Sequence, residues 1–101
     1  MNLEVTILSN LCYHEKYARK VLPFLMKEYF TTREYKIVFL EIHEYISQYD
    51  ALPSLNALSI DCQERTDLTE DQFKTIKEVL SELSNEKSEY DWLVDTTEKW
   101  C

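Results

Sequence analysis

Apolar residues recur along the chain at three- and four-residue intervals, the spacing that gathers them on one face of an α-helix. Leu3, Ile7, Leu8 and Leu11 mark a short first helix, and Tyr17, Val21, Phe24 and Leu25 a second from His14 to about Met26. Pro23 falls inside that second stretch. A proline within a helix removes a backbone hydrogen bond and clashes with the preceding turn, at about 3 kcal/mol. The helix is therefore expected to break or kink near Leu22, leaving Phe24 to Phe30 as a loop or a separate turn. The third helix carries the widest apolar face. Tyr35, Val38, Phe39, Ile42, Tyr45, Ile46 and Tyr49 follow the helical repeat, while Lys36, Glu41, Glu44 and Gln48 take the other side. Such a face suits a central helix touched by several neighbours.

Start and stop signals agree with this reading. Thr31 and Glu34 have the spacing of a capping box for the third helix, as Thr69 and Gln72 do for the fifth. Asp50-Ala51-Leu52-Pro53 ends the third helix, since the residue before a proline is pushed away from helical angles. Ser54 caps a short fourth helix with Leu55, Leu58 and Cys62 inward. The fifth buries Phe73, Ile76, Val79, Leu80 and Leu83, and Ser84 to Glu89 turns the chain into a last helix from about Tyr90. Its stripe of Leu93, Thr97 and Trp100 is still running at Cys101, with neither cap nor breaker, so the terminus reads as cut. The expected fold is all-α: a compact bundle of about six short helices around the third.

Composition narrows what such a bundle can do. A chain of 101 residues encloses one core, so residues 1–101 form a single helical domain. Its hydrophobic fraction of 45% is that of a folded chain. The net charge of −8 makes nucleic acid a poor partner for this domain. Glycine is absent, which excludes a P-loop and a GxGxxG dinucleotide turn together. No apolar run approaches the ~20 residues of a membrane helix. Cys12, Cys62 and Cys101 form no CxxC pair, and the start lacks a basic signal region; both suit the cytoplasm.

Chemistry-bearing residues form no catalytic constellation. HExxH is absent, and no serine stands in a nucleophile elbow. Cys12, His14 and His43 could share a metal only if the fold gathered them, and the preferred reading is a buried thiol with two helix-surface imidazoles, so no metal or catalytic residue is assigned. Paired carboxylates such as Glu41 with Glu44, or Glu78 with Glu82, read as solvated helix faces. Seven tyrosines, four phenylalanines and two tryptophans exceed what so small a core hides. Surface Tyr and Trp favour protein interfaces, and Tyr13, Tyr90, Trp92 and Trp100 are the interface candidates.

The stretch from Glu28 to Phe39 resembles the acidic-aromatic turn and following helix in the N-terminal domain of DnaB-type replicative helicases. Glu15-Lys16-Tyr17 upstream and Leu52-Pro53-Ser54-Leu55-Asn56-Ala57-Leu58 downstream fall in matching order, and the segment Asp91 to Lys99 is similar to the version carried by T-even-type bacteriophages. Pro23, set where the family's second helix closes, is a departure. The resemblance implies the head of a collar that pairs subunits within a hexamer and docks primase, acting in the phage replisome of the host cytoplasm. A C-terminal helical hairpin and the RecA-like motor, with its ATP and magnesium, would lie beyond this chain. The domain itself would have no cofactor, no catalysis, no membrane contact and no tight DNA binding. The alternative is a self-contained acidic adaptor or inhibitor that binds a basic partner.

Overall fold

The computed structural model describes residues 2–101; Met1, which opens the stretch read for a signal, lies outside the described residues. Asn2 starts the first helix, its Oδ1 accepting the Val5 amide at 2.8 Å. Helix α1 (Leu3–Tyr13) buries Val5, Ile7, Leu8 and Leu11. His14 both ends it and opens α2 (Glu15–Val21): its amide donates to the Asn10 carbonyl at 2.9 Å, and its carbonyl accepts the Ala18 amide at 2.9 Å. The chain then tightens into a 3-10 turn over Leu22–Phe24. Pro23 sits in the first turn of that segment, where its missing N–H is no loss, so the expected break at Leu22 is present. The break also changes the register. Leu22 and Leu25 turn inward while Phe24, expected on the buried stripe, faces outward. A second 3-10 turn, Lys27–Tyr29, leads to the central helix.

Helix α3 (Arg33–Tyr49) starts one residue later than the capping-box spacing suggests. Thr32, not Thr31, is the cap, its Oγ1 accepting the Tyr35 amide at 3.2 Å. Thr31 is engaged elsewhere: its amide and hydroxyl donate to the two Glu4 carboxylate oxygens at 2.7 and 2.8 Å. A spacing rule sees only local partners, and here a carboxylate on α1 outcompetes the helix for the hydroxyl. At the far end Asp50 takes the left-handed conformation (φ 52°). Asp tolerates that region better than most residues and fills the role glycine usually has. Arg19 fixes it by donating to the Asp50 carboxylate at 2.9 Å and to its carbonyl at 3.1 Å. The helix therefore stops at this cap, three residues before Pro53.

Helix α4 (Leu55–Gln63) is capped by Ser54, whose Oγ accepts the Ala57 amide at 3.0 Å. Helix α5 (Glu70–Glu82) opens with the full Thr69–Gln72 capping box. Helix α6 (Tyr90–Trp100) closes the fold. All elements among the described residues are helical. The bundle has the expected plan: α3 touches α1, α4, α5 and the Lys27–Tyr29 turn, while α6 packs chiefly on α2. Contact on so many sides explains why Ile37, outside the expected stripe, is buried beside Val38, Phe39 and Ile42. It also explains the fate of Tyr49, which the repeat placed in the core. At the end of α3 the neighbours have run out, and Tyr49 is 58% exposed. Phe73 on α5 is likewise only half-buried. No helix of the described residues is long and apolar enough to cross a membrane.

Candidate interaction surface

Helix α6 sorts the aromatic candidates. Leu93 and Thr97 face inward and are fully buried, with the Thr97 hydroxyl 2.7 Å from the Tyr17 hydroxyl on α2. Trp92, one residue and about 100° around the helix from Leu93, is turned to solvent and is 53% exposed. Trp100 continues the inward stripe. Its ring meets Phe30 edge-on at 5.1 Å and Tyr29 at 6.0 Å, and Phe30 is stacked on Phe39 at 5.1 Å, so it lids one edge of the core. Tyr90 is half-buried against His14 at 5.9 Å, with the Lys16 ammonium 4.1 Å above its ring. Tyr13 is half-buried and packs against the core. Among the described residues no ring contact joins two of these four. Of the candidates, only Trp92 is a freely offered large ring.

The titratable groups describe a closed interior. Burial pushes the Cys12 thiol up to about 12, and burial together with Glu41 does the same to Cys62. Burial, then Lys87 and Lys16, hold His14 below the usual imidazole range, which favours its neutral form. Cys101 is exposed. Burial and then Glu98 raise the Cys101 thiol too, so access separates the three: an aromatic disulfide reagent at neutral pH is expected to titrate Cys101 first, and Cys12 and Cys62 only after denaturant is added. Prompt reaction of all three would mean the helices around α1 and α4 open readily. Among the described residues no three His, Cys, Asp or Glu side chains could hold a metal together. His43 and Ser47 lie one turn apart on α3 with Nδ1 and Oγ at 3.4 Å, an exposed contact with no carboxylate among the ring's hydrogen-bond partners.

The surface also holds apolar residues that the periodicity assigned inward or passed over. Met26 is 49% and Ile60 47% exposed. Tyr45 and Tyr49 lie one turn apart on α3 with tilted rings, their centres 4.7 Å apart. Their aromatic character was legible, but their outward aim depends on where α4 stops covering α3. Beside them Arg65 pairs with Glu41 and with Asp67, both at 2.9 Å, tying the end of α4 to α3.

No family model matches the chain. Over 94 residues, 93% of its length, it is 34% identical to the DnaB-like replicative helicase of Enterobacteria phage T4. Over that stretch it is a relative of a DnaB-like replicative helicase. The match bears out the resemblance of the chain to DnaB-type replicative helicases, and the chain's fold is all-helical among the described residues. The chain covers 20% of the helicase it matches. What it shares with the helicase is thus a fold-sized segment, and the surface described above is what that segment presents.

Proposed function

We propose that the chain is the N-terminal head of a hexameric DnaB-type replicative helicase, a non-catalytic interaction and oligomerisation domain that contacts sister subunits and primase. The reading rests on one observation, the 34% identity to the phage T4 helicase across 93% of the chain. ATP and magnesium then belong to a motor elsewhere in the protein, and the site of action is the phage replisome in the host cytoplasm. The charge of −8 and the absence of glycine support a domain that handles neither phosphate nor DNA.

Docking works here by burying apolar and aromatic surface, and Trp92 is the anchor in this reading, because an exposed indole on a rigid helix loses little entropy on binding. By sedimentation the isolated chain is expected to be a monomer or weak dimer, without ATPase activity. In a pull-down with the cognate primase, Trp92→Ala is expected to weaken capture about tenfold or more, the size of a hot-spot loss, with the circular dichroism spectrum unchanged. A salt-resistant hexamer, nucleotide turnover by the chain alone, or undiminished capture by the variant would each count against the scheme.

A further inference from the structure

We propose that the C-terminal half of α3 seats a basic amphipathic helix of a partner protein, which lies across it with one apolar and one cationic edge. Between His43 and Tyr49 this helix stands between two open clefts. The first, about 310 Å³, has an apolar floor of Leu22, Pro23 and Ile46. The second, about 230 Å³, is lined by Glu41, Glu44, Tyr45, Tyr49, Asp61 and Glu64. The ridge between them, Glu44, Ser47 and Gln48, is exposed. This face is therefore an unpartnered helix surface with a groove on each flank, the shape into which a second helix packs.

Charge selects the occupant. In the first cleft Arg19 is already held by Glu15 at 3.0 Å and Asp50 at 2.9 Å, so that cleft offers no free charge to a ligand. In the second, Glu41 is matched by Arg65, but Glu44, Asp61 and Glu64 have no ion pair among the described residues. Asp61 stands in the last turn of α4 and Glu64 is its C-cap. There the helix dipole is negative, and an acid is disfavoured by about 0.3–1 kcal/mol. The cleft thus gathers three carboxylates with no cationic partner among the described residues, two of them at the negative end of α4. Lysine or arginine side chains entering it would supply the missing partners. The Tyr45–Tyr49 pair, with Tyr49 more than half exposed, adds ring faces on which a guanidinium can rest. A purely cationic tail would satisfy only the second cleft, and a purely apolar helix only the first.

The inference deepens the interaction reading and rests on it, but its test needs no helicase partner, so failure here leaves the primase and assembly results standing. The probe is a synthetic helix of about 18 residues with leucine on one face and lysine on the other. Two companions complete the set: the same peptide with glutamate for lysine, and a lysine-only peptide of equal length. In amide NMR titrations the leucine–lysine peptide is expected to shift Ile46 and Ser47 on one flank and Tyr49, Asp61 and Glu64 on the other. The triple variant Glu44→Gln/Asp61→Asn/Glu64→Gln, exposed at every site, is expected to weaken it about tenfold or more, with shifts elsewhere in the spectrum unchanged. Equal binding of the glutamate peptide, equal affinity of the lysine-only peptide, perturbations centred on Glu78 and Glu82 of α5, or an unaffected triple variant would each overturn the proposal.

Discussion

Phe39→Ala is expected to lower the unfolding free energy by about 3–5 kcal/mol, the loss that follows removal of a phenylalanine from a closed core. Phe39 sits on the central helix and is 2% exposed. Its ring stacks on Phe30, which in turn carries Trp100, and it approaches the His43 ring at 5.9 Å. Truncation therefore leaves a void beside Phe30 and His43 and removes the ring on which Phe30, itself in contact with Trp100, is stacked. For a domain whose whole stability is about 5–15 kcal/mol, such a loss takes away a large share. Urea denaturation followed by circular dichroism should show a much lower midpoint with little change of slope. Trp92→Ala, on the solvent side of α6, should stay within about 0.5 kcal/mol. A Phe39→Ala midpoint close to the parent's would refute the placement of α3 at the centre.

The second large effect lies at the buried Tyr17–Thr97 hydrogen bond, which spans 80 positions of sequence to hold α6 on α2. Tyr17→Phe leaves the Thr97 hydroxyl without its partner, and Thr97→Val does the reverse. Each is expected to cost about 1–3 kcal/mol, the penalty of an unsatisfied buried polar group. The double variant should cost clearly less than the two singles together, because it strands neither group. Strict additivity would mean that the hydroxyls do not interact in solution.

The same burial makes the domain sensitive to alkali. Desolvation, opposed by the Thr97 hydrogen bond, pushes Tyr17 up from its ordinary 10.0 to about 12. The folded state favours the neutral phenol, so this contribution is complete below pH 10 and is lost as pH rises toward 12. Cys12 and Cys62, raised from 9.0 to about 12, act in the same sense from pH 9 upward. Urea midpoints should thus fall steadily above pH 9. Tyr17→Phe should flatten the upper part of that fall. An identical alkaline profile in the variant would remove Tyr17 from the cause.

Much of the architecture was legible because its signals are local. The repeat over Leu3 to Leu11, the break at Pro23, Ser54 before α4 and the Thr69–Gln72 box each depend on residues within one or two turns, and each is present in the fold. Where a distant residue competes, the local signal misleads. Thr31 has the spacing of a cap but is bound by Glu4, 27 positions away, and the duty passes to Thr32. Phe24 and Tyr49 obey the helical period yet face water, the first because a 3-10 turn resets the register and the second because α3 outruns its neighbours.

The candidate surface divides the same way. The sequence by itself determined that this is a helical, acidic, glycine-free chain, because composition and hydrophobic period act through averages over many residues; its likeness to part of a phage helicase is carried instead by residue-by-residue identity. Only the tertiary structure decided that, of four candidate aromatics, Trp92 is offered to solvent while Tyr13, Tyr90 and Trp100 are tucked against the core. It alone brought Glu44 of α3 beside Asp61 and Glu64 of α4. Exposure and charge proximity are properties of how helices lie against one another. That arrangement is set by packing between residues far apart in the chain, which no local spacing encodes.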